Sequence, residues 1–96
     1  MRENRFQSGL IKEIRERFPG SVVLKNDAAV LQGVPDLLIL HGNRWAALEC
    51  KREAGAPKRP NQEYYVKKLD GMSFSRFIFP ENRETVLEEL GRFFSR

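Results

Sequence analysis

The 96-residue chain contains one cysteine, Cys50, one histidine, His41, and one tryptophan, Trp45. A lone cysteine excludes an intramolecular disulfide and any zinc site built from several thiolates. No apolar run approaches the roughly 20 residues of a membrane helix, and none follows the N-terminus in the manner of a signal peptide. The expectation is a soluble, intracellular, cytoplasmic protein without membrane attachment. Glycine-rich phosphate loops and a Cys-His nucleophile pair are also missing, which leaves nucleotide-cofactor chemistry and thiol catalysis without support. There is no internal repeat and no low-complexity segment.

Hydrophobic residues make up 41% of the chain and charged residues 31%, a globular composition. At this length residues 1–96 form a single domain around one thin core. The formal charge is +4, from 17 Lys and Arg against 13 Asp and Glu, a mild basic excess compatible with a polyanionic partner but shared by many proteins without one.

Apolar residues Phe6, Leu10, Ile11, Ile14 and Phe18 recur at helical spacing between Arg2 and Phe18, and Pro19-Gly20 stops the helix. Ser21 to Lys25 is a β-branched strand signal, and Asn26 to Gly33 reads as a loop. Val34 to Leu40 and Arg44 to Lys51 are apolar strands joined by His41-Gly42-Asn43, with a hairpin turn at Gly42-Asn43. Arg52 to Pro60 is a loop, and Pro60 opens a helix to about Leu69 that Gly71 is expected to close. Phe74 to Phe79 is the last strand. Glu81 to Phe94 is a helix with Val86, Leu87, Leu90, Phe93 and Phe94 on one face. The order is α-β-β-β-α-β-α.

A tight turn at Gly42-Asn43 makes opposed residue numbers sum to 85, so Asp36 faces Glu49. Directly opposed side chains lie about 4.5–5.5 Å apart at Cβ, and period-two alternation puts Lys51 on the same face. Like charges so placed repel, and the apolar neighbours Leu38, Leu40, Trp45 and Ala47 raise the cost of charge there. A divalent cation relieves both penalties. Hard oxygen donors select Mg²⁺ or Mn²⁺, held by Asp36, Glu49 and the backbone carbonyl of Cys50, and such sites suit phosphodiester hydrolysis. Lys51 then orients the attacking water or neutralises developing charge. Taken singly, these residues also fit a turn-capping aspartate and an ordinary surface ion pair.

Gly33-Val34-Pro35-Asp36 followed by Glu49-Cys50-Lys51 resembles the PD-(D/E)xK nuclease signature. With the leading helix, the strand Ser21 to Lys25 and the helix opening Pro60-Asn61-Gln62, nearly the whole chain resembles the VRR-NUC branch and the archaeal-type Holliday-junction resolvases. The resemblance implies a restriction-endonuclease-like α/β fold: an αβββαβ core with a mixed central sheet flanked by helices, followed by a C-terminal helix. It implies a Mg²⁺- or Mn²⁺-dependent DNA endonuclease selective for Holliday junctions or other branched DNA. It also draws attention to Glu3 as a further metal ligand and Gln62 as a catalytic hydrogen-bonding group. Helical projection places both on the inward arcs of their helices, Glu3 with Phe6 and Leu10, and Gln62 with Tyr65, Val66 and Leu69. Each has a plainer reading: Glu3 complements the helix dipole, and Gln62 is a satisfied boundary residue.

Lys25, Lys58, Arg59 and Lys67 are candidate DNA contacts, with Lys51, Arg52 and Lys68 nearby in sequence. His41, at the hairpin tip, reads as a turn residue and not a general base. Cutting a branched junction calls for two symmetric sites, so a homodimer is expected. The competing reading is a non-catalytic DNA-binding domain that keeps the nuclease fold.

Overall fold

In the computed structural model, which describes residues 2–27 and 29–96, the apolar stripe Phe6, Leu10 and Ile14 lies on helix α1, Glu3–Arg17. Met1 and Ala28, expected in the single domain and in its first loop, lie outside the described residues. After α1 come β1 (Val22–Lys25), β2 (Leu37–His41), β3 (Arg44–Cys50), α2 (Pro60–Met72), β4 (Ser75–Ile78) and α3 (Arg83–Phe94). The element order is the expected one.

The strands form one sheet in the order β1-β2-β3-β4. The first two pairings are antiparallel and β3 with β4 is parallel, so the sheet is mixed. The parallel step requires a crossover, and α2 supplies it. Gly42 has φ +62, and among the described residues only glycines take a positive φ, the pattern of a hairpin turn with glycine in its first central position. That turn fixes His41↔Arg44 and Leu37↔Leu48, a register in which residue numbers sum to 85.

Period-two alternation sends Leu37, Ile39, Ala46, Leu48 and Cys50 to one face. There they pack with Phe6, Leu10 and Ile14 of α1 and Val86, Leu87 and Leu90 of α3 in the main core. Burying each large aliphatic side chain contributes roughly 1.5–3 kcal/mol, so this layer holds the sheet and the two helices together. Helix α2 packs on the opposite face over β3 and β4. Beyond its reach Val22, Leu24 and Leu40 are solvent-exposed. Among the described residues no helix is long and apolar enough to cross a membrane.

Three local expectations need correction. Helix α2 runs through Gly71 to Met72. It stops where the Ser73 backbone N–H bonds Leu69 and the Ser73 hydroxyl bonds the Trp45 carbonyl, so a tertiary contact sets the end. Strand β2 begins at Leu37 and not at Val34, because Val34 N–H turns back to the Leu31 carbonyl and Pro35 has no N–H to offer a ladder. His41 is the last residue of β2 and not part of the turn. Its ring packs against Phe18 and Phe94, at centroid distances of 6.0 and 5.1 Å.

Candidate active site

Asp36 immediately precedes β2, held by its own carbonyl, which accepts the Asn26 N–H at 2.8 Å. Its carboxylate Oδ2 accepts the Cys50 backbone N–H at 2.9 Å. The hairpin therefore binds Asp36 through its side chain one step beyond the regular ladder. Glu49, opposite Asp36 in the same register, is 4% exposed, and Lys51 is 8% exposed. Lys51 continues the line of β3 through its N–H, which donates to the Ile78 carbonyl at 2.9 Å.

Gln62 joins these groups from α2. Its Oε1 accepts Lys51 Nζ at 2.7 Å and the Arg59 backbone N–H at 3.0 Å, while its Nε2 donates to Glu49 Oε2 at 3.1 Å. The two donors at its oxygen and the carboxylate at its nitrogen leave one sensible amide orientation. The bond from Arg59 also ties up a free N–H at the start of α2, so one side chain caps the helix and orders the site.

The electrostatics follow from burial. Desolvation first, then the neighbouring Asp36 charge, pushes the Glu49 carboxyl up from 4.5 to about 8, with Lys51 opposing and Glu3 adding to the rise. Burial also raises Asp36, against the Cys50 hydrogen bond and the charges of Lys51 and Lys25. Without added positive charge, then, the pair tends to retain a proton.

These side chains line a cleft of about 550 Å³. Glu3, Asp36 and Glu49 supply its acidic groups, Arg2, Lys51, Arg52 and Arg59 its basic ones, and Ala56, Pro57 and Gln62 complete the wall. The expected residues Asp36, Glu49, Lys51, Gln62, Glu3 and Arg59 thus meet at one place. Glu3 stands at the mouth, solvent-exposed, and not against the core as its projection suggested. Glu3 is the first residue of α1, and the buried stripe begins only at Phe6, so Glu3 shares the stripe's angle but lies beyond its end. Among the described residues no group of three or more His, Cys, Asp or Glu side chains converges as a metal site.

Lys25 is exposed at the end of β1, near enough for its charge to act on Asp36. Lys58 lies over the rings of Phe77 and Phe79, 5.2 and 5.8 Å from their centroids, and does not line the cleft. Lys67 lies farther along α2, beside Asp70 and Arg76. Arg2 was missed by sequence reasoning, because an arginine preceding a helix carries no distinguishing pattern. Gln7 of α1 is buried, a polar side chain among the helix's apolar stripe.

No protein-family model and no curated protein matches the chain. Among solved structures, a VRR_NUC domain protein matches with a TM-score of 0.71 over 99% of this chain and 89% of its own, at 13% identity. The likeness shows the fold. This chain has the mixed α/β architecture of that VRR_NUC domain protein, with a four-stranded sheet flanked by helices and a C-terminal helix.

Proposed function

We propose that this protein is a metal-dependent DNA endonuclease that hydrolyses phosphodiester bonds in Holliday-junction or other branched DNA, and that it acts as a homodimer. The observation that carries the reading is the chain of hydrogen bonds from Lys51 through Gln62 to Glu49, beside Asp36 in an open, arginine-rimmed cleft. Surface charges need no such scaffold. A buried lysine and a buried glutamate held by one glutamine are positioned groups.

Asp36 and Glu49 fit a divalent cation: they are oxygen donors, burial and mutual repulsion penalise their charges, and a cation offsets both penalties. They would hold it with the Cys50 carbonyl, and Glu3 at the cleft mouth would add a ligand directly or through water. When bound, Mg²⁺ or Mn²⁺ neutralises charge on the phosphate and acidifies water for attack. The protein's own groups do the positioning. Gln62 fixes the Glu49 carboxylate by donating to Oε2 and anchors one of the three donor directions of the Lys51 ammonium. The remaining Lys51 donors are available to a water or a phosphate oxygen. Arg59, Arg52 and Arg2 draw the DNA backbone to the cleft, with Lys25 beside it and Lys58 and Lys67 farther out.

The homodimer reading is supported by the part of the sheet that α2 leaves open. Val22 pairs with Leu40 and Leu24 with Leu38, an apolar strip on an edge strand that a second copy can cover. The decisive experiment is a panel of junction, flap, duplex and single-stranded DNA with Mg²⁺ or Mn²⁺. Wild type is expected to cut branched DNA, and Lys51→Ala is not. A wild type that binds DNA but cuts no form favours the non-catalytic alternative.

A further inference from the structure

The connection from β1 to β2 leaves the sheet at the end that carries Asp36 and Glu49, and both its ends are fastened there. Asn26 donates its backbone N–H to the Asp36 carbonyl at 2.8 Å and its side-chain amide to the Pro35 carbonyl at 2.7 Å. At the other end Gly33, with φ +90, lies so close to Asn61 that a Cβ on it would come within 2.8 Å of Asn61 backbone and side-chain atoms. Asn61 precedes Gln62, so the connection is held between the catalytic hairpin and the start of α2. Turns closed by Val30 N–H to Asp27 and Val34 N–H to Leu31 fold the segment back on itself.

What this fastened segment presents is unusual for a loop. Val30 is 84% exposed and Leu31 is 46% exposed. Val30 gains almost nothing from folding, Leu31 buries only about half of its surface, and neither belongs to the core. The loop that carries them is rooted at Asp36 and against Asn61, next to residues of an arginine-rimmed cleft, and that gives them a use. An intact duplex presents sugar and phosphate to such a rim, against which an aliphatic tip gains little. Where the helix is interrupted, at a branch point, the faces of unstacked bases are apolar and open. Aliphatic side chains of this kind wedge between base steps in DNA-bending proteins.

From these features we infer that Val30 and Leu31 form a wedge that occupies the unstacked step at a DNA branch point and places the adjoining strand in the cleft. The inference rests on the nuclease reading of that cleft and specifies how branched DNA is selected. The fastening at Asn26 and Gly33 gives the wedge a fixed offset from Asp36, so the cut falls at a fixed distance from the branch. Lys25, at the end of β1 where the loop begins, and Arg59, at the start of α2, provide phosphate contacts near its two fastened ends.

The test compares wild type with the double variant Val30→Ser/Leu31→Ser, whose exposed positions leave the core intact. A junction carries 2-aminopurine at its branch point, and Ca²⁺ replaces Mg²⁺ for the binding measurement. Wild type is expected to raise the fluorescence several-fold on binding, and the double variant to raise it little. With Mg²⁺, the ratio of junction to linear-duplex cleavage falls at least tenfold in the double variant, while Val30→Leu/Leu31→Met retains it. A wild type that binds the junction without changing the fluorescence, or a double variant with an unaltered preference, overturns the wedge. A wild type inert on all DNA overturns the nuclease reading instead, a distinct result.

Discussion

The backbone N–H of Cys50 donates to the Asp36 carboxylate at 2.9 Å, so the strand that carries Glu49 and Lys51 also holds the aspartate opposite them. An asparagine oxygen accepts the same bond. Asp36→Asn therefore keeps the hairpin intact while removing a charge that burial disfavours. Cleavage is expected to fall at least about 100-fold, with a melting temperature equal to or above wild type. Loss of activity accompanied by a collapse of Tm would make Asp36 a structural residue.

Glu49 makes stability depend on pH. Its folded value of about 8 exceeds the ordinary 4.5, so between those limits the native state binds more protons than the unfolded chain. Stability then falls as pH rises through that window, by at most about 1.4 kcal/mol per pH unit, and Asp36, shifted the same way, adds to the fall. Thermal melts in EDTA from pH 5 to 8 are expected to show a declining Tm. Glu49→Gln flattens the decline, and Mn²⁺ added at pH 8 restores Tm in wild type. A pH-independent Tm in EDTA would contradict the assignment.

Gln62 acts through its neighbours. Gln62→Leu removes the acceptor for Lys51 Nζ and the donor to Glu49 Oε2, and leaves the Arg59 N–H without its side-chain partner. Loss of a group that orients active-site residues typically costs about 10–100-fold in activity or metal affinity, and that range is expected here. Because it also removes a donor from the Glu49 carboxylate, whose titration is already displaced upward, the pH profile of cleavage shifts as well. A variant with reduced stability but an unchanged profile and rate would reduce Gln62 to a helix cap.

How much of this was legible in the sequence depends on whether the deciding interaction is local. The Gly42-Asn43 turn determines its own register, so counting outward from it places Asp36 opposite Glu49 with no other information. Gly71 failed as a helix stop because the true end depends on Ser73 reaching Trp45, 28 residues away. Val34 and Pro35 looked like strand because they are apolar, yet a ladder needs N–H groups that this pair does not supply. Projection of Glu3 gave its angle but not its depth. Lys58 was read from charge alone, and the rings that it covers, Phe77 of β4 and Phe79 just after it, are about 20 residues away in sequence.

The open strip on β1 and β2 makes a prediction about assembly. Leu40 is exposed and paired with the exposed Val22, so Leu40→Lys places charge in the middle of the proposed contact without touching the core. Sedimentation at micromolar concentration is expected to show a dimer for wild type and a monomer for the variant, with paired cleavage of four-way junctions lost together with the dimer. A wild type that sediments as a monomer with and without junction DNA would rule out the homodimer.

Gly33 tests the fastening of α2 to the hairpin that carries Asp36 and Glu49. Alanine there meets two penalties: φ +90, and a Cβ within 2.8 Å of the Asn61 backbone carbonyl carbon. Gly20 has nearly the same φ, +87, but a methyl group added there meets nothing within 4 Å, so Gly20→Ala carries the conformational penalty alone, about 1–2 kcal/mol. Relief of the Gly33 clash requires Asn61 to move, and Gln62 moves with it. Gly33→Ala is therefore expected to lose more stability than Gly20→Ala, by about 1–3 kcal/mol in chemical denaturation, and to lose activity while Gly20→Ala retains it. Equal losses in the two variants would show that the contact between the loop and α2 does not hold the site.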